Sequence, residues 1–179
     1  MLKKILLVLA VLVAAFLVVV SLQSSTYRVE RSLAIAASPA DLFAQVNDLR
    51  KAQVWSPWVK IDPAAKYTFE GAAAGVGAIN TWSGNRDVGA GRQTIIESKP
   101  DELVRTKLEF FKPMEGTAVA EFALKPEGAR TVVTWSMSGP KNFISKAMCL
   151  FMSMDTMIGG PFEQGLADLK TLAESPAKK

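Results

Sequence analysis

The chain has 179 residues, with 21 Lys and Arg against 17 Asp and Glu, and Lys3, Lys4, Lys178 and Lys179 account for the whole cationic excess. The rest is electrically balanced and has no basic cluster to neutralise phosphates, which argues against nucleic-acid binding. The absence of histidine excludes His-based catalytic triads and the common zinc and haem sites, and the single Cys149 excludes an intrachain disulfide.

Ile5 to Leu22 is an unbroken apolar run preceded by Lys3 and Lys4. As a helix these 18 residues reach roughly 27 Å, close to the ~30 Å hydrocarbon core of a bilayer. Fourteen of them are Leu, Ile, Val or Phe, which favours insertion by about 4 to 8 kcal/mol. A secretory signal has a shorter apolar stretch and a small-x-small cleavage site. No Ala-x-Ala follows here, although Val19 and Ser21 fit a permissive peptidase. The expectation is a retained single-pass anchor over residues 1–25, with a cleaved signal and then a buried helix of a soluble protein as the alternatives. The basic start places the rest of the chain outside the cytoplasm, in the periplasm of a double-membraned bacterium, although Arg28 and Arg31 nearly match Lys3 and Lys4.

The remaining length suits one domain, over 26–175, followed by a polar tail, 176–179. Tyr27 to Ile35 alternates and predicts a strand. Ser38-Pro39-Ala40-Asp41 announces a helix, with a cap, a proline at the first helical position and an acid near the positive end. A second short helical stretch begins at Leu49 and stops before Pro57, between Trp55 and Trp58. Six strands are expected near Lys66–Glu70, Gly77–Ser83, Gly91–Ser98, Leu103–Phe110, Thr117–Lys125 and Thr131–Ser138, separated by turns rich in Gly, Pro, Asn and Asp. Phe143, Ala147, Leu150, Met154 and Ile158 recur at helical spacing. Gly159-Gly160-Pro161 then predicts an interruption, and Phe162, Leu166, Leu169 and Leu172 resume the pattern. Such an order suits an α+β fold, a curved sheet whose apolar face is closed by the final helix. Cys149, between Met148 and Leu150, reads as a small buried apolar residue.

The segment from Tyr27 to Ala173 resembles the START-like, or SRPBCC, superfamily in its polyketide cyclase/dehydrase and lipid-transport branch, which includes membrane-anchored bacterial members. The resemblance rests on Arg28-Val29-Glu30-Arg31-Ser32 with Ser38-Pro39, Val46-Asn47-Asp48-Leu49, Trp55-Ser56-Pro57-Trp58, Asp62-Pro63, Gly75-Val76-Gly77 and Trp82-Ser83-Gly84-Asn85. It continues in Val133 to Gly139 and in Met157-Ile158-Gly159-Gly160 before Phe162-Glu163. It implies a helix-grip fold, about seven antiparallel strands around a long C-terminal helix, with an apolar cavity for a lipid, sterol, polyketide or similar ligand. No universal catalytic motif and no cofactor come with it.

Strand alternation and position nominate Trp58, Trp82, Phe110, Phe122, Trp135, Met137, Met148 and Met152 as ligand-contacting residues, with ordinary core packing as the competing role. Four methionines between Met148 and Met157 suit an adaptable apolar surface, whether for ligand, packing or membrane. Acid/base candidates are Asp155 first, then Glu163, Glu121, Asp48 and Tyr67, since a carboxyl facing an apolar space has its neutral form favoured; the competing role for Asp155 is that of a charged helix residue facing water. No residue is assigned as catalytic or metal-binding. The expected function is binding of a small hydrophobic or lipid-like ligand at the membrane surface. Alternatives are a cyclase or dehydratase acting on an apolar substrate, or a membrane-tethered protein-interaction domain with a filled core.

Overall fold

The computed structural model describes residues 1–175, so the polar tail expected at 176–179 lies outside the described residues. The apolar leader is one helix, α1 (Leu2–Leu22), whose side chains are exposed except for the fully buried Val20. Gln23, Ser24 and Ser25 link it to the first strand.

Seven strands follow: β1 (Thr26–Ile35), β2 (Lys66–Gly71), β3 (Ala78–Ser83), β4 (Ala90–Lys99), β5 (Leu103–Lys112), β6 (Gly116–Glu127) and β7 (Arg130–Pro140). They form one antiparallel sheet in the order β1-β7-β6-β5-β4-β3-β2, a meander from β2 to β7 whose last strand pairs with β1. Between β1 and β2 lie α2 (Pro39–Val46), a 3-10 turn (Lys51–Val54) and α3 (Pro57–Ile61). After β7 come α4 (Phe143–Met148) and α5 (Met154–Glu174). This is the expected helix-grip arrangement, with α5 lying chiefly along β1.

The α2 start forms as its sequence requires: the Ser38 hydroxyl accepts from the Asp41 amide at 3.1 Å, with Pro39 at the first helical position. The short helical stretch expected before Pro57 forms as the 3-10 turn, which ends at Val54. The element the sequence did not announce is α3, which Pro57 opens, because a proline at the first turn gives up an amide that has no intrahelical partner anyway.

The C-terminal third is also reorganised. The interruption expected at Gly159-Gly160-Pro161 does not occur, and α5 runs through Pro161. An interior proline costs about 3 kcal/mol. Ile158, Phe162, Leu166 and Leu169, all buried against the sheet, offset that cost. The break falls instead between Cys149 and Ser153. There the Ser153 hydroxyl accepts from the Thr156 amide at 3.0 Å and Asp155 sits in the first turn of α5. Cys149 is partly exposed at the end of α4 rather than buried.

Two glycines fit the last helix to the sheet. A side chain at Gly165 would meet the Trp135 ring at 2.7 Å and Pro57 at 3.0 Å, and one at Gly159 would collide with the Arg31 guanidinium. Bare backbone there lets α5 approach both.

Candidate functional site

Cross-strand pairing defines what the concave face carries. Arg31 on β1 points at α5, where it donates to Asp155 at 2.8 and 3.0 Å and to Glu163 at 2.6 Å. Arg31 pairs with Trp135, and Trp135 with Phe122, so these residues share that face. Trp135 stacks on Phe162 of α5 with ring centroids 4.0 Å apart and on Phe122 at 4.8 Å, while the Trp55 ring meets both Phe122 and Trp135 edge-on at 5.6 and 5.8 Å. All four are buried, Phe162 to 1% and Trp135 to 7% exposure. The space between β6, β7 and α5 is therefore a packed aromatic core, and the hollow expected there is filled.

The other half of the concave face is different. The substantial helix contacts of the sheet fall on β1, β5, β6 and β7. On β2 to β5 two adjacent rows run across the strands. One is Tyr67, Trp82, Gly91 and Phe110; the other is Phe69, Asn80, Gln93 and Leu108. The aromatic members are only half-buried. Trp82 and Phe110 meet edge-to-face at 5.9 Å, and the Trp82 indole donates to the Val88 carbonyl at 3.3 Å. Gly91 makes room for this: a side chain there would meet the Trp82 ring and the Glu109 carbonyl, each at 2.5 Å. The Arg50 guanidinium lies over the Phe69 ring, 4.8 Å from its centroid.

Among the described residues, two polar groups in this basin are buried without a hydrogen-bond partner. Asn80 is 1% exposed, and its Oδ1 accepts no hydrogen bond. The Tyr67 hydroxyl is likewise buried without a partner, and burial, with a smaller effect from Asp62, holds its pKa above the ordinary phenol value. Outside the basin, Gln53 Oε1 on the 3-10 turn and the indole nitrogens of Trp55 and Trp135 are also buried without a partner among the described residues. An orphaned buried polar group costs about 1 to 3 kcal/mol, so the Asn80 and Tyr67 atoms on this face mark where a guest's polar group would be favourable.

The residues nominated from sequence therefore separate. Trp82 and Phe110 come together in the basin. Phe122, Trp135 and Met137 are buried in the core. Trp58 is half-buried on α3, which is held to α5 by a Lys60–Asp168 ion pair of 2.6 Å. Met148 and Met152 are 39% and 49% exposed, outside the core cluster. Sequence reasoning missed Asn80. Asn80 had a visible signal, a polar residue two positions from Ala78 on the inward side of a central strand.

The carboxylate candidates are committed to other work. Asp155 is 61% exposed, and the hydrogen bonds from Arg31, reinforced by its charge, hold its pKa below the usual carboxylate range. It is ionised and solvated rather than a neutral acid in an apolar space. Glu163 shares Arg31. Glu121 pairs with Arg105 at 2.7 Å on the opposite face, and Asp48 Oδ1 accepts from the Arg50 amide at 2.8 Å. Among the five only Tyr67 faces the basin.

Two open depressions mark the outer surface. One of about 510 Å³ is lined by Thr26, Tyr27, Arg28, Val119, Ser138, Gly139 and Pro140; the other, of about 410 Å³, lies around Gly84, Asn85 and Pro113. Neither lies between the sheet and α5.

The fold recurs in solved structures. A Chromobacterium violaceum protein is 19% identical with a TM-score of 0.58, over 85% of this chain and 99% of its own. Major latex-like protein 151 from Panax ginseng is 18% identical with a TM-score of 0.60, over 85% of this chain and 100% of its own. The di-domain ARO/CYC StfQ from the steffimycin biosynthetic pathway is 11% identical with a TM-score of 0.60, over 83% of this chain and 51% of its own. At these identities the likeness establishes the fold alone. No curated protein matches the chain. The model of one family, polyketide cyclase / dehydrase and lipid transport, matches residues 26–174, nearly all that follows the leader. The chain belongs to that family.

Proposed function

We propose that this domain binds a small hydrophobic, lipid-like ligand without covalent chemistry, on the half of the concave face formed by β2 to β5. The observation that carries the reading is the basin itself: half-buried Trp82, Phe110, Phe69 and Leu108 around the unpartnered Asn80 Oδ1 and Tyr67 hydroxyl. Each apolar Å² of ligand removed from water contributes about 25 cal/mol. A hydroxyl or other donor on the ligand would satisfy Asn80, whose amide oxygen only accepts. The ligand class is therefore amphiphilic, a long apolar body with one polar end. α1, read as a retained membrane anchor, holds the domain at the bilayer that supplies such molecules, on the extracytoplasmic side.

The test is extraction of full-length protein purified in mild detergent, followed by mass spectrometry. A stoichiometric apolar molecule is expected, with its yield sharply reduced in Trp82→Ala and its affinity lowered in Asn80→Leu. An empty protein that also fails to take up fatty acid, lysolipid or sterol would refute the reading.

A second reading is a cyclase- or dehydratase-type enzyme. The Tyr67 hydroxyl favours it, because it is the one candidate acid in the basin and keeps its proton to high pH. It predicts that Tyr67→Phe abolishes turnover while leaving ligand retention intact. The binding reading predicts weaker retention instead.

A further inference from the structure

We propose that the open end of the grip docks into the bilayer that α1 spans, through an apolar rim formed by α4, the α4–α5 loop and the β5–β6 hairpin. After α1, twelve large hydrophobic residues are exposed among the described residues, and seven of them are gathered at this end. Phe143, Ile144 and Met148 stand out from α4, and Phe151, at 84% exposure, and Met152 from the loop that follows. Phe111 and Met114 project from the neighbouring hairpin. Soluble surfaces scatter such residues singly, so a cluster of this size marks a contact.

Strand register fixes where the cluster lies relative to the anchor. Thr26, the first residue of β1, pairs with Pro140, the last of β7, and the Lys141 amide donates to the Ser25 carbonyl at 2.7 Å. Ser138 pairs with Val119 near the start of β6, and Gly116 with Phe110 near the end of β5. The α1 exit, the root of α4 and the β5–β6 hairpin therefore share one end of the sheet.

The occupant follows from depth. Only Gln23 to Ser25 separate α1 from β1, a reach of about 10 Å at full extension. α4 touches α1, and Val20, the one buried residue of α1, lies inside the apolar run. With α1 across a membrane, α4 stands at the level of the hydrocarbon boundary, where interfacial elements bury their apolar faces ~5–10 Å deep. Lys112, Lys141 and Lys146 border the rim at headgroup level, which favours anionic lipid. Tyr67, Trp82 and Phe110 belong to one cross-strand row at this same end of the sheet, so the ligand basin opens toward the bilayer.

The proposal rests on α1 being a membrane span, and the experiment separates the two ideas. Full-length protein carrying Cys149→Ser and a single bimane at Phe151→Cys, Met114→Cys or, at the far end, Val76→Cys is reconstituted into vesicles of phosphatidylcholine with or without phosphatidylglycerol. Lipid-borne doxyl groups should quench positions 151 and 114 several-fold more than position 76, and aqueous iodide should show the reverse order, more strongly with phosphatidylglycerol present. Equal iodide access at all three positions, in protein that resists carbonate extraction, overturns the docking while leaving the anchor intact. Release by carbonate overturns both. Shielding of position 151 from iodide without quenching by lipid indicates contact with a second copy and also overturns the proposal. Phe151→Asp should keep the fold, as judged by its unfolding transition, and abolish the lipid quenching at Met114→Cys.

Discussion

Replacement of Trp135 by alanine tests whether the space beneath α5 is solid. The Trp135 ring is stacked between Phe162 at 4.0 Å and Phe122 at 4.8 Å, has the Trp55 edge at 5.8 Å, and presses on Gly165. Removing a buried Trp or Phe side chain costs about 3 to 5 kcal/mol, the larger values where the surroundings cannot collapse. The Trp135 indole N–H is itself buried without a partner, so its deletion removes a penalty of about 1 to 3 kcal/mol and moves the expected loss to the lower end. The prediction is a loss of about 3 kcal/mol for Trp135→Ala. For a domain of this size that lowers Tm by roughly 6 to 12 °C. Trp135→Phe, which keeps the stacking and drops the orphan donor, should cost less than about 1.5 kcal/mol. Urea unfolding of the full chain in detergent, followed by far-UV circular dichroism, reads both. A Trp135→Ala loss below about 1 kcal/mol would show that the ring lines a void and that the packed-core reasoning is mistaken.

The remaining predictions follow from single contacts. Gly165→Ala forces its methyl against Trp135 and Pro57 and should destabilise by about 1 to 3 kcal/mol in the same unfolding assay. Asp155 has a folded pKa depressed by Arg31, so its contribution to stability is present above the ordinary Asp value near ~3.9 and is lost as pH falls through the depressed value. Carboxyl NMR should show Asp155 titrating below its ordinary range in wild type and within it in Arg31→Met. Gly159→Ala, whose methyl displaces the Arg31 guanidinium, should raise the Asp155 pKa in that measurement without unfolding the domain. Gly91→Ala should push Trp82 off the Val88 carbonyl, seen as a shifted indole N–H resonance, and weaken ligand retention more than stability.

Legibility in the sequence followed the physics of each segment. All seven strands appear near their expected limits, because alternation survives wherever one face is buried and the turns are built from Gly, Pro, Asn and Asp. Ser38 and Pro39 were readable because capping is a local interaction. The α5 boundary was not, because Pro161 is a local breaker overruled by four residues buried against a sheet distant in sequence, whereas the Ser153 cap that sets the true boundary lies inside an apolar run. The site was harder to read. Alternation shows which residues face inward, but not that Trp55, Phe122, Trp135 and Phe162 interlock while Trp82 and Phe110 stay half-open. That depends on which strands α5 covers, a property of the topology. For Asp155 the sequence left open an acid facing an apolar space or a charged residue facing water; its partner Arg31, 124 positions away, could not be read from the local pattern.

The account is tested most directly by photolabelling the full-length protein in membranes with a diazirine-bearing fatty acid and locating the adducts by peptide mass spectrometry. It predicts adducts within Lys66–Ser83 and Leu103–Lys112, lost in Trp82→Ala, with few on Arg130–Pro140 or on the stretch of α5 from Ile158 to Leu169. Adducts concentrated on Trp135 and Phe162, or their persistence in Trp82→Ala, would contradict it.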